Sequence, residues 1–204
     1  MRSKRPWLPL VLMLLASHQA KAKPVTDFKL QHYEVTGSTI AEIKRSMAKK
    51  SPIRTGNKGF GGVTVWSLDT TYTTVETPDG GCEVRDPKVF LKVKIVLPKL
   101  RPGPRLSRQA RAEWERFLGA LRAHEMLHAK NGLYTAETIE KRMTNLRTKV
   151  SCHRTKEVLN QGSQALISNI TQRDRDMDRD TRHGETQGAY LDDRVDLHQQ
   201  AVRR

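Results

Sequence analysis

The chain has 204 residues, of which 36% are hydrophobic, and carries a formal net charge of +15. That length holds one domain with a real core and is short for two, and no repeat of solenoid length interrupts it. The charge invites a nucleic-acid reading, but the basic residues are scattered rather than interleaved with aromatics, so no nucleic-acid partner is expected.

The first residues read as an export signal. Arg2, Lys4 and Arg5 form a positive start, and Leu8 to Ala16 is an apolar run too short to span a bilayer. Ala20-Lys21-Ala22 fits a small-x-small cleavage site, which predicts a signal peptide over residues 1–22. Its removal takes away Arg2, Lys4, Arg5 and Lys21 and no acid, leaving +11. The mature protein is then expected to be periplasmic or extracellular, without a transmembrane segment. Its charge favours contact with an anionic envelope surface.

Phe28 to Val35 predicts a strand, and Thr39 to Lys49 a helix capped by Ser38. Gly56 to Gly62 lacks the Lys-Ser/Thr ending of a phosphate loop and reads as a turn. Val63 to Val75, rich in Val, Thr, Trp and Tyr, predicts a strand. Thr77-Pro78-Asp79-Gly80-Gly81 predicts a turn, and Cys82 to Leu97 a second long strand. These two strands pair most simply as a hairpin. Cys82 and Cys152 are the only two cysteines. In an exported chain they are expected to form a disulfide, which at a separation of 70 residues is worth about 4 kcal/mol.

Ser107 sits at an N-cap position before a helical pattern that runs to about Val150, with Gly132 a possible kink point. Trp114, Phe117, Leu121, His124 and His128 recur in steps of three and four, so both histidines continue a stripe that faces the interior. A second helix is expected from Arg154 to about Ile170. Beyond it, Arg173 to Arg182 reads as a charged loop, and residues 192–204 as a polar, disordered tail.

His124-Glu125-Met126-Leu127-His128 is the chemical signature of the chain. Two imidazoles one turn apart can hold one Zn²⁺, and the intervening Glu125 is placed to take a proton from a zinc-bound water. A catalytic zinc needs a third protein ligand. Glu137 and Glu140 are excluded by helix geometry, so the ligand must return from a later segment. Glu157 and His153 are two candidates.

Asp178-Arg179-Asp180-Thr181-Arg182-His183-Gly184, downstream of the His-Glu-x-x-His helix and with a Cys between them, resembles a bacterial family of secreted zinc-dependent proteases long catalogued only as a domain of unknown function. The likeness also touches Tyr33-Glu34-Val35-Thr36-Gly37, Thr64-Val65-Trp66 and Cys82, and so covers roughly residues 30–190. Met177 stands where the family often has tyrosine. The resemblance makes His183 the third ligand, 55 residues past His128, with Glu157 as runner-up and His153 after it. Gly184 and Gly188 would let the backbone turn close to the metal. Asp178 and Asp180 could orient a liganding imidazole, but for most of these acids the preferred reading is a charged loop over Arg173–Arg182 whose alternating signs satisfy one another. Tyr190 could stabilise an oxyanion on its position after His183 alone, and Trp66 and Trp114 are read as core residues.

The expectation is therefore an α+β, zincin-like domain over residues 23–191, with a small antiparallel sheet packed on a long active-site helix. Its function would be zinc-dependent peptide hydrolysis with Glu125 as general base. The substrate would be a peptide or protein, received along an edge strand within Val63–Val75. The alternative is a zinc-binding envelope scaffold or binding module without catalysis.

Overall fold

A computed structural model describes residues 23–55, 58–103 and 105–196. The signal-peptide reading falls outside the described residues. In chain order the elements are β1 (Val25–Val35), α1 (Ile40–Lys50), β2 (Arg54–Thr55), β3 (Lys58–Gly59), β4 (Val63–Glu76), β5 (Cys82–Leu100), α2 (Arg108–Met143), β6 (Arg147–Thr148) and α3 (Cys152–Thr181), followed by a 3-10 turn at Glu185–Gln187.

The class is α+β, but the sheet is mixed rather than antiparallel. Its order is β1-β5-β4, with β6 paired to the start of β5. The β4–β5 hairpin forms as expected, with Trp66 opposite Val93 and Glu76 opposite Cys82. β1, however, lies parallel to β5, with Phe28 opposite Val93 and Leu30 opposite Ile95. Parallel pairing needs a long crossover, and the run through α1 and β4 supplies one. β5 is thereby central. Val89, Leu91, Val93, Ile95 and Leu97 are buried, as its alternation predicts.

Helix α2 begins where Ser107 accepts a hydrogen bond from the Ala110 backbone N–H. It ends at Met143, earlier than expected, and runs unbroken through Gly132. Its apolar stripe, Trp114, Phe117, Leu121, Ile139 and Met143, packs on the sheet. The cap of α1 is Thr39, whose hydroxyl accepts from Glu42 N. Ser38 instead donates to the Glu42 carboxylate.

The charged stretch after Ile170 is not a loop. Helix α3 continues through it to Thr181, secured along its solvent face by Gln172–Asp176, Arg175–Gln172 and Arg179–Asp176 contacts three and four residues apart. The expected disulfide joins Cys82 to Cys152 and pins the first turn of α3 to the start of β5. The first residues of the expected polar tail are fastened to α1. Asp196 accepts from the backbone N–H groups of Ile40 and Ala41, and Asp193 pairs with Lys44. Among the described residues no helix is long and apolar enough to cross a membrane.

Candidate metal centre

The stripe that fills the core with Trp114, Phe117 and Leu121 carries His124 and His128 inward one and two turns later, and both rings are buried. The rings meet edge to face with centroids 5.0 Å apart. Across from them, α3 presents Asp178. Its Oδ1 lies 3.1 Å from His124 Nε2 and 3.0 Å from His128 Nε2. Tetrahedral zinc with bond lengths near 2.0–2.1 Å separates its ligand atoms by about 3.3 Å. Both distances are close to that spacing, the three ligand atoms lie within 4.8 Å of one another, and His124, His128 and Asp178 form a group that could hold a metal.

The outer nitrogens support that assignment. His124 Nδ1 lies 2.8 Å from Gln187 Oε1, and His128 Nδ1 lies 3.0 Å from Asp174 Oδ1. Each acceptor can take the Nδ1 proton and so orient the ring, an arrangement that would leave Nε2 free to bind a metal. Burial opposes charge on His128, but Asp174 and Asp178 outweigh it and hold its pKa at about 10. Burial likewise acts to raise Asp178, yet hydrogen bonds from the two histidines keep it well below the usual carboxylate range. The cluster thus balances a carboxylate against imidazolium charge.

Glu125 is buried beside the cluster. Its Oε2 and its backbone carbonyl both lie within reach of the Thr64 hydroxyl, at 2.8 and 2.9 Å. Burial pushes its carboxyl up, against the Thr64 hydrogen bond and the two histidines. Glu125, His128, Asp174, Asp178 and His183 line a cleft of about 370 Å³, walled by Ile53, Phe60 and the first residues of β4.

His183, the ligand expected from the resemblance, stands beside the cluster rather than in it. Its Nδ1 is 3.6 Å from Asp178 Oδ1, its ring is half-exposed, and it leans on Phe60 with centroids 4.2 Å apart. The reason is local. Helix α3 reaches Thr181, so Asp178 faces the histidines from the helix, and His183 falls in the left-handed turn that follows. In that turn Gly184, at φ 84°, presses on His124, and a Cβ there would sit 2.9 Å from His124 Cγ.

Glu157 and His153 pair with each other at the opposite end of α3, about 30 Å along the helix from Asp178. Asp180 binds Arg179. Tyr190 lies under the Arg116 guanidinium and does not line the cleft. Trp114 is core. Trp66 packs on the core and also donates from Nε1 to Asp174.

Asp178 as a cluster member, Asp174, Gln187 and Thr64 were beyond the sequence reading. Asp174 and Asp178 did leave a signal, an i, i+4 acid pair one turn apart, which matters only once the segment is helical.

The model of a family described as a bacterial protein of unknown function, DUF922, matches residues 30–184, and the chain belongs to that family. No curated protein and no solved structure matches the chain.

Proposed function

We propose that this family member is a zinc-dependent peptidase acting outside the cytoplasm, with His124, His128 and Asp178 as the metal ligands and Glu125 as general base. The observation that carries the reading is the convergence of two imidazole Nε2 atoms on one carboxylate oxygen, at 3.0–3.1 Å from it, with a buried glutamate beside them in a cleft. Three N and O ligands with room for more suit zinc in a catalytic rather than a closed structural site.

Zinc, when bound, polarises a carbonyl oxygen and lowers the pKa of a water. The chain's residues do the rest. Glu125, its carboxyl raised by burial, takes a proton from the attacking water and delivers it to the departing amine. The Thr64 hydroxyl fixes one of its oxygens during that exchange. Strand β4 lies at the sheet edge beside the cleft, where an extended peptide can add as a further strand. The disulfide and the signal-like first residues support an exported location.

Glu125→Gln tests the reading. The variant should keep stoichiometric zinc and lose peptide cleavage by roughly 10²–10⁴-fold, the usual contribution of a general base. Wild type that binds zinc but cleaves nothing in a broad peptide library would favour the zinc-binding scaffold instead.

A further inference from the structure

Asp174 is not part of the three-atom cluster, yet its carboxylate is bonded on every side. Oδ1 accepts from His128 Nδ1 at 3.0 Å and from Asn131 Nδ2 at 2.6 Å, and Oδ2 accepts from Trp66 Nε1 at 3.0 Å. The acceptor belongs to α3 and the donors to α2 and β4, so one carboxylate joins three elements.

Among the described residues, strand β4 bonds to β5 along one side only. Its other contacts with the body of the protein run through the inner face. There Trp66 packs against α2 at Gly132, where a Cβ would come within 2.8 Å of Trp66 Cγ. Two residues earlier on the same face, Thr64 bonds Glu125. Successive inward side chains of this edge strand are therefore hydrogen-bonded to groups of the metal centre, not merely packed on apolar surface.

We infer that Trp66 and Asp174 are a positioning pair that ties β4 to the metal ligand His128, so that metal binding and the ordering of the cleft edge are linked. The inference rests on the metal site proposed above. A metal that pins His128 Nε2 also fixes the direction of Nδ1–H, and with it the carboxylate that anchors the Trp66 indole. Linkage is reciprocal: loosening Trp66 must weaken the metal by the same free energy with which the metal orders β4.

The test uses the full mature chain and zinc alone. Trp66→Phe keeps an aromatic ring against Gly132 and removes the N–H donor together with part of the indole. Its zinc affinity, measured by chelator competition, should fall roughly tenfold, and that of Asp174→Asn up to about 100-fold, the range for groups that orient a liganding histidine. Leu68→Ala loosens packing on the same face of β4 without touching Asp174. It should leave zinc affinity within about twofold of wild type, as an uncoupled site does. In wild type, zinc should slow amide exchange over residues 63–68, and Trp66→Phe should lose that slowing. Wild-type zinc affinity in Trp66→Phe overturns the inference, as does an equal loss in Leu68→Ala or exchange in β4 that ignores zinc. Wild type that binds no zinc overturns the metal reading itself, and does so before any variant is compared.

Discussion

Asp178 and His183 are five residues apart in sequence and have different environments. Asp178 Oδ1 lies 3.0–3.1 Å from the Nε2 atoms of His124 and His128, whereas His183 Nδ1 lies 3.6 Å from Asp178 Oδ1. Removing Asp178 leaves two imidazoles without their anionic partner, too few ligands for an open zinc site. Asp178→Ala is therefore expected to emerge from dialysis without zinc, and His183→Ala to retain close to one equivalent, as read by elemental analysis. Zinc lost from His183→Ala and kept by Asp178→Ala would restore the ligand set implied by the family resemblance. The two histidines and Glu125 were legible in the sequence because a five-residue motif on an apolar stripe states its own geometry. Asp178 was not, because a ligand's role depends on the direction of its side chain, and the alternating charges of Arg173–Arg182 resemble a solvated loop.

At the level of elements, the turn that supplies Gln187 is held to α2 by one ion pair. Glu113 binds Arg116 through both carboxylate oxygens and also accepts from Asp192 N. Arg116 in turn donates to the carbonyls of Gly188 and Tyr190. The hydrogen bond from Arg116 holds the Glu113 carboxyl below its usual value of 4.5, with burial opposing it. A depressed folded pKa means the stabilisation is present above about 4.5 and is lost as pH falls through the folded value. Glu113→Gln should cost about 1–3 kcal/mol at neutral pH, the range for a hydrogen bond to a charged group. Its stability should also decline less than that of wild type between pH 5 and pH 3, by about the amount one carboxylate contributes. Urea melts across that range check both. Parallel curves for the two proteins would show that Glu113 is not the group that titrates.

Across the whole molecule, the disulfide and the candidate metal centre occupy opposite ends of α3. The bridge fixes Cys152 to β5, and Asp178 stands about 26 residues further along. Replacing both cysteines by serine is expected to lower stability by about 2–5 kcal/mol through the freed unfolded chain. The zinc stoichiometry should survive, since α2 and the Asp174 bonds still hold α3 at the site. Denaturant melts with parallel metal analysis separate the two effects. Loss of zinc in the folded double variant would show that the bridge sets the register of α3 on α2.

The sequence by itself determined the hairpin, the capped helix with both histidines on its buried face, the cysteine pairing and the glutamate that lies between the histidines. Each depends on local period, turn chemistry or a count, which a chain carries in its order of residues. Only the tertiary structure decided that β1 runs parallel to β5, that α3 extends to Thr181, and that Asp178, Asp174 and Gln187 close around the histidines. Strand direction follows from where the crossover leads the chain. A polar helix forms where packing and side-chain pairs hold it, and which carboxylate meets two histidines depends on how the helices pack.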